Sequence, residues 1–160
     1  MAVDMFIKIG DLKGEAKDSK HVGEIDVLAW SWGASNSGNA HMGGGQGAGK
    51  VNVQDLSFTK YIDKSSPDLF LACCNGKHIK DATLVVRKAG ETPLEYLTIT
   101  MNDLIVTSVS TGGSGSEDRL TENVTLNFAK VKVNYVEQTA TGAAGAKPQM
   151  GWDIAANAKL

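Results

Sequence analysis

Apolar and polar positions alternate with period two along most of the chain. Val3, Met5, Ile7 and Ile9 stand against Asp4, Phe6 and Lys8, which predicts a first strand. The segment Ile25 to Gly33, IDVLAWSWG, predicts a second strand. Ile25, Val27 and Ala29 share one of its faces, and Leu28, Trp30 and Trp32 share the other. Both faces are partly apolar, so cover on both sides is expected. From Lys50, Val51 and Val53 alternate with Asn52 and Gln54, then Leu56 and Phe58 alternate with Ser57 and Thr59. The parity slips between Val53 and Leu56, which predicts a bulge or a change of buried face near Gln54-Asp55.

The period then switches to that of a helix. Ser65-Ser66-Pro67-Asp68 offers a capping hydroxyl, a proline pre-set for the first turn and an acid at the positive helix end. The run LFLACC follows, and Gly76 can close the helix in a left-handed conformation. One short helix, Ser66 to Asn75, is therefore expected in a chain that otherwise reads as β.

Beyond it, Ala82 to Ala89 and Leu94 to Met101 predict a hairpin turned at Gly90 to Pro93. Asn102-Asp103 is expected to interrupt the second arm before Leu104 to Val109. In Leu120 to Val136, the residues Val124, Leu126 and Phe128 share one parity, and Val131, Val133 and Tyr135 share the other. The buried face therefore changes near Ala129-Lys130, which suits a small barrel or a sandwich corner where one strand serves two sheets. Met150 to Ile154 is a short final strand candidate. Three stretches lack periodicity. Ala34 to Gly49 is expected to be a long loop, Thr111 to Asp118 a glycine-rich loop and Thr139 to Lys147 a linker.

The chain has 160 residues, enough for one domain, 1–160, with a proper core. Its 42% apolar and 21% charged content is that of a globular protein, and a net charge of −2 argues against a generally basic nucleic-acid binder. No apolar run approaches the roughly 20 residues of a membrane span, so no membrane insertion is expected. The start, MAVDMFIKIGDLKG, has no basic n-region, and Asp4 and Lys8 break its apolar stretch. Synthesis in the cytosol is expected. Cys73 and Cys74 are neighbours on the predicted helix and cannot join in an ordinary disulfide.

Candidate chemistry is sparse. Gly44 to Lys50, GGQGAGK, satisfies the start of a phosphate loop. However, Val51 stands where magnesium binding needs Ser or Thr, and the loop leads into a strand rather than a helix N-terminus. His21, His41 and His78 lack a second ligand at metal spacing and are expected to be exposed in loops. The cysteines are expected to be buried in the helix. Glu117 and Asp118 are read as a solvated loop with a local ion pair to Arg119, and Trp30 and Trp32 as core or interface packing. No set of acid, base and nucleophile emerges, so no enzyme activity, cofactor or metal is expected.

Four blocks nevertheless resemble one family: MAVDMFIKIGDLKGEAKD, IDVLAWSWG, HMGGGQGAGKVNVQDLSFTKYIDKSSPDL and VSTGGSGSEDRLTENVTLNFAKVKVNY. Together they are similar to the Hcp proteins, the hemolysin-coregulated proteins of bacterial type VI secretion. The resemblance is weakest in Thr139 to Lys147. It implies a small β-barrel of two packed sheets with one flanking helix, similar to phage tail-tube proteins. It further implies a homohexameric ring, with rings stacked into the inner tube of a contractile machine. The expected partners are further copies of the chain, a VgrG-type spike, the contractile sheath and secreted effector proteins carried in the lumen. Export by the machine itself, without a signal peptide, goes with that role. Some family members carry a fused toxin domain; this chain is expected to be a plain tube subunit.

Within that frame, the small polar residues Ser31, Ser57 and Thr59 are the expected lumen contacts. The loop residues His41, Met42, Gly43, Gly44 and Gly45 are the expected ring-stacking contacts. Two other classes compete: a monomeric β-barrel that binds a small ligand or peptide, and an enzyme that uses Lys50 on a nucleotide.

Overall fold

Strands dominate the computed structural model, which describes residues 3–38 and 49–160. In chain order they are β1 (Val3–Ile9), β2 (Ile25–Asp26), β3 (Ala29–Ser31), β4 (Ala34–Asn36), β5 (Val51–Val53) and β6 (Leu56–Tyr61). The helix α1 (Ser66–Asn75) follows, then β7 (Ile79–Lys88), β8 (Glu95–Thr111), β9 (Thr121–Tyr135), β10 (Gln149–Asp153) and β11 (Ala158–Lys159). The protein is mainly β with one helix among the described residues, as the alternation predicts.

One nine-stranded sheet runs in the order β11-β10-β9-β8-β7-β1-β2, with β6 also paired to β9 and β3 to β6. A two-stranded ribbon, β4–β5, stands beside it. The large sheet wraps round a core that includes Ile7, Leu56, Phe58, Leu84, Met101 and Leu126. It does not close as a ladder. Across the seam, the Val27 N–H donates to Met5 O at 2.9 Å in β1, and the Leu28 N–H donates to Thr59 O at 2.8 Å in β6. That crossing divides the expected Ile25–Gly33 strand into β2 and β3, because consecutive residues bond to opposite sides of the seam.

The parity change in β9 has a direct cause. Thr121 to Leu126 pair with β6, whereas Lys130 to Asn134 pair with β10, and β8 lies along the other side. Val124, Leu126 and Phe128 are buried before the change and Val131 after it. The slip near Gln54-Asp55 is a similar exchange: β5 belongs to the ribbon with β4, and β6 begins at Leu56 against β9.

Three expectations need correction. Ala34 to Asn36 form strand β4, paired with Val53 to Val51, so the stretch read as a loop from Ala34 begins as a hairpin arm. Strand β8 runs through Asn102-Asp103 without a break: Asp103 takes φ 54, which an aspartate tolerates, while Asn102 and Leu104 keep their partners in β9. The stretch read as a linker at 139–147 holds a hydrogen-bonded turn, with the Thr139 N–H donating to Ala143 O at 2.8 Å and the Glu137 N–H to Ala146 O at 2.8 Å.

Helix α1 has the predicted bounds, with Pro67 in its first turn and Gly76 at φ 63 closing it. Its N-cap differs from the expectation: Ser65 makes no side-chain cap bond, and its buried hydroxyl donates to Asp63 Oδ1 at 2.5 Å. The helix is held by its inner face, where Leu69 and Ala72 enter the core. Full burial of a leucine side chain contributes about 1.5–3 kcal/mol.

Candidate functional site

Alternation in β6 sends Leu56, Phe58 and Lys60 inward and leaves Ser57, Thr59 and Tyr61 half-buried on the other face. In β9 the same alternation buries Val124 and Leu126 and turns Asn123 and Thr125 away from the core. Register then aligns the outward residues across the strands. Ser31, Ser57, Thr125 and Ser108 form one row across β3, β6, β9 and β8. Ala29, Thr59, Asn123 and Ser110 form the next. Ser31, Ser57 and Thr59 thus lie together on one open sheet face.

Side chains are tied along these rows. Ser57 Oγ and Thr125 Oγ1 share a hydrogen bond of 3.0 Å, and Thr59 Oγ1 donates to Asn123 Oδ1 at 2.6 Å. Neither row contains a charge, an imidazole or a thiol. Such a surface offers hydroxyl and amide hydrogen bonds to a polar partner, and neither row sets a carboxylate, imidazole or amine beside its hydroxyls to activate one. One end of the face carries Asp55, whose carboxylate accepts from Thr107 Oγ1 at 3.0 Å and Asn127 Nδ2 at 2.8 Å. The other end carries Tyr61, covered by the Arg119 guanidinium 3.7 Å from the ring centroid.

The face has open edges. Among the described residues β3 pairs only with β6, and β8 beyond Leu104 pairs only with β9, because β7 reaches no farther than Leu104. Free edge donors and acceptors on both flanks are positions where another strand can add.

Sequence reasoning missed Ala29, Asn123, Thr125, Ser108 and Ser110 as members of this face. The signal was present for β9: Asn123 and Thr125 have the parity opposite to Val124 and Leu126. For Ser108 the signal is masked by an irregularity in register at Thr107.

The remaining candidates fall elsewhere. His41, Met42, Gly43, Gly44 and Gly45 lie outside the described residues. Lys50 precedes strand β5, as the loop-to-strand reading requires. Trp30 and Trp32 pack against the core, and Trp32 Nε1 donates to Gln54 O at 2.8 Å. Cys73 is half-buried and Cys74 exposed, which corrects the expectation of two buried thiols. The helix turns Leu69 and Ala72 inward, and Cys74 falls on the opposite face. Arg119 covers Tyr61 and makes no ion pair with Glu117 or Asp118.

His21 is also corrected: it is buried, not an exposed loop histidine. Its ring stacks on Phe6 at 4.4 Å, with Nδ1 3.0 Å from Glu24 Oε2 and Nε2 2.7 Å from Glu95 Oε1. Arg87 lies 5.1 Å from the same Phe6 ring and binds the Asp18 carboxylate. The Arg87 guanidinium, helped by the Lys20 N–H, holds the Asp18 carboxyl below its usual value. These contacts fasten the 10–24 segment over β1 and β7 and leave the polar face untouched. Among the described residues, no group of three or more His, Cys, Asp or Glu could hold a metal ion.

Comparison with known proteins gives this geometry a family. Residues 6–135 match the family model described as type VI secretion system effector, Hcp. The chain is 66% identical over 159 residues to Protein hcp1 of Pseudomonas aeruginosa, covering 98% of both sequences. It superposes on the crystal structure of Hcp1 from Salmonella typhimurium with a TM-score of 0.82 at 43% identity, covering 100% of each chain. A structure described as a type six secretion system protein gives a TM-score of 0.93 at 30% identity, covering 99% of this chain and 100% of that one. The strands, the flanking helix and the four resembling blocks thus have one explanation: the chain belongs to the Hcp family of type VI secretion proteins.

Proposed function

We propose that the protein is a structural subunit of the type VI secretion tube, in which homohexameric rings stack into the injected inner tube. The observation that carries this reading is the polar face on β3, β6, β9 and β8, whose two rows hold no charged side chain and which is flanked by an open strand edge on each side. Copies joined head to tail along those edges close a ring and hide them. The face then lines the lumen, where hydroxyls and amides contact an effector protein without a net charge to select against it. Ser31, Ser57 and Thr59 are the lumen contacts in this reading.

The tube reading brings partners with it: the VgrG-type spike at the tip, the contractile sheath outside and effectors within. It also places synthesis in the bacterial cytoplasm and release through the machine. The 41–45 segment is the ring-stacking contact of the proposal. Negative-stain electron microscopy of the purified protein tests the reading. Rings with a central hole are expected, and a uniform field of single small particles favours instead a monomeric β-barrel that binds a ligand or peptide.

A further inference from the structure

Away from the polar face, helix α1 and the 10–13 turn enclose a groove of about 730 Å³. Its floor is apolar: Ile9 and Ile79 are buried beneath it, and Leu12 and the exposed Leu71 form facing walls. Its rim is basic. Lys13, Lys64, Lys77 and Lys80 all line it and all are exposed, against two acids, Asp11 and Asp68. None of the four lysines makes an ion pair among the described residues. A surplus of lysine is gathered at one concave place on a chain whose net charge is −2.

The walls are fixed. The Gly10 N–H donates to Asp81 O at 2.8 Å, and the Leu12 N–H donates to Ile9 O at 3.0 Å, so the turn is tied to β7 and to itself. Gly10 holds φ 52, and a Cβ there would meet Ile79 Cγ2 at 3.0 Å. The opposite wall is the helix, anchored by Leu69 and Ala72. A preformed groove loses little ordering entropy when a ligand enters it.

We propose that this groove docks an acidic segment of another protein, one that places an apolar side chain on the Ile9–Ile79 floor and carboxylates against the lysine rim. The chemistry favours a peptide over a nucleic acid: among the described residues the His78 imidazole is the one aromatic ring in the lining, and no Phe, Tyr or Trp joins it to stack successive bases. On the helix side Leu71 is 59% exposed, so the apolar wall is open to a peptide side chain. Lysine ammonium groups at the rim steer an acidic partner inward, an attraction that salt weakens. The groove shares no residue with the polar rows, so the inference stands apart from the tube reading.

The test is fluorescence anisotropy on the full chain with a fluorescein-labelled peptide of alternating glutamate and leucine as probe. Saturable binding that weakens with salt is expected. The Lys77→Glu/Lys80→Glu protein is expected to bind about tenfold more weakly or worse. Leu71→Ser is expected to weaken binding while keeping its salt dependence, and Lys132→Glu/Lys159→Glu, reversed outside the groove, is expected to bind like the native chain. On the native chain, the probe is expected to slow hydrogen exchange in residues 10–13 and in α1. Absence of saturable binding, an equal loss in the Lys132→Glu/Lys159→Glu control, or unchanged exchange at the groove overturns the proposal. Tighter binding of a single-stranded oligonucleotide of equal charge also overturns it.

Discussion

Lys60 and Glu122 face each other across β6 and β9 with Nζ 2.5 Å from Oε1, and their side chains are 0% and 3% exposed. The pair does not stand alone. Asp63 Oδ1 lies 3.0 Å from Lys60 Nζ, and Ser66 Oγ accepts from Nζ at 3.1 Å while donating to Glu122 Oε1 at 2.6 Å. Because Ser66 opens helix α1, this buried network ties the start of the helix to two strands of the polar face.

Removing Lys60 leaves two carboxylates, Glu122 and Asp63, without their counter-charge. Lys60→Ala is expected to cost about 3–5 kcal/mol in urea unfolding, because the Glu122 and Asp63 carboxylates lose their counter-charge in a buried site. The double change Lys60→Met/Glu122→Leu is expected to recover only part of that loss, because Asp63 still loses the Lys60 ammonium. A single-variant loss below about 1 kcal/mol contradicts the account of a sealed pair.

Asp18 sets an acid limit. Its folded-state carboxyl is held below the unfolded value by the Arg87 guanidinium. A depressed acid contributes stability that is present above the unfolded value and is lost as the pH falls through the folded one. The urea midpoint of the native chain is therefore expected to fall as the pH drops below about 4. Asp18→Asn is expected to lower stability at neutral pH and to flatten that fall. Parallel pH profiles for the two proteins contradict the assignment.

On the polar face, Ser31→Gln, Ser57→Gln and Thr59→Gln each put a longer amide where a small hydroxyl stands. Co-purification of an effector is expected to drop for these variants while the particle mass stays that of the native protein. Undiminished effector recovery in all three removes this face from the lumen.

The segment Gly43 to Gly47 supplies the fourth test. Its deletion is expected to leave rings intact while abolishing their stacking at high protein concentration, as read by sedimentation. Loss of the ring itself moves the segment to the subunit interface, and unchanged stacking removes it from assembly.

Local signals made much of the fold legible. Pro67 and Gly76 bracket α1, and the parity change at Ala129-Lys130 marks where β9 trades β6 for β10. Lys60 was readable too, since it continues the Leu56 and Phe58 parity, and Glu122 continues that of Val124 and Leu126. Long-range pairing was not legible. His21 is buried through Glu95, a partner 74 positions away, and no local pattern announces such a contact. Ala34 to Asn36 look unstructured until Val51 to Val53 pair with them. For the polar face, alternation could name Ser57 and Thr59, but only the register of β3, β6, β9 and β8 brings Ser57 into a row with Ser31 and Ser108 and Thr59 into one with Asn123 and Ser110.

Native mass spectrometry of the purified chain tests the central claim most directly. Closed rings built edge to edge are expected to give a dominant species at six times the 16.9 kDa subunit mass. A dominant 16.9 kDa species at micromolar concentration in mild salt contradicts the ring.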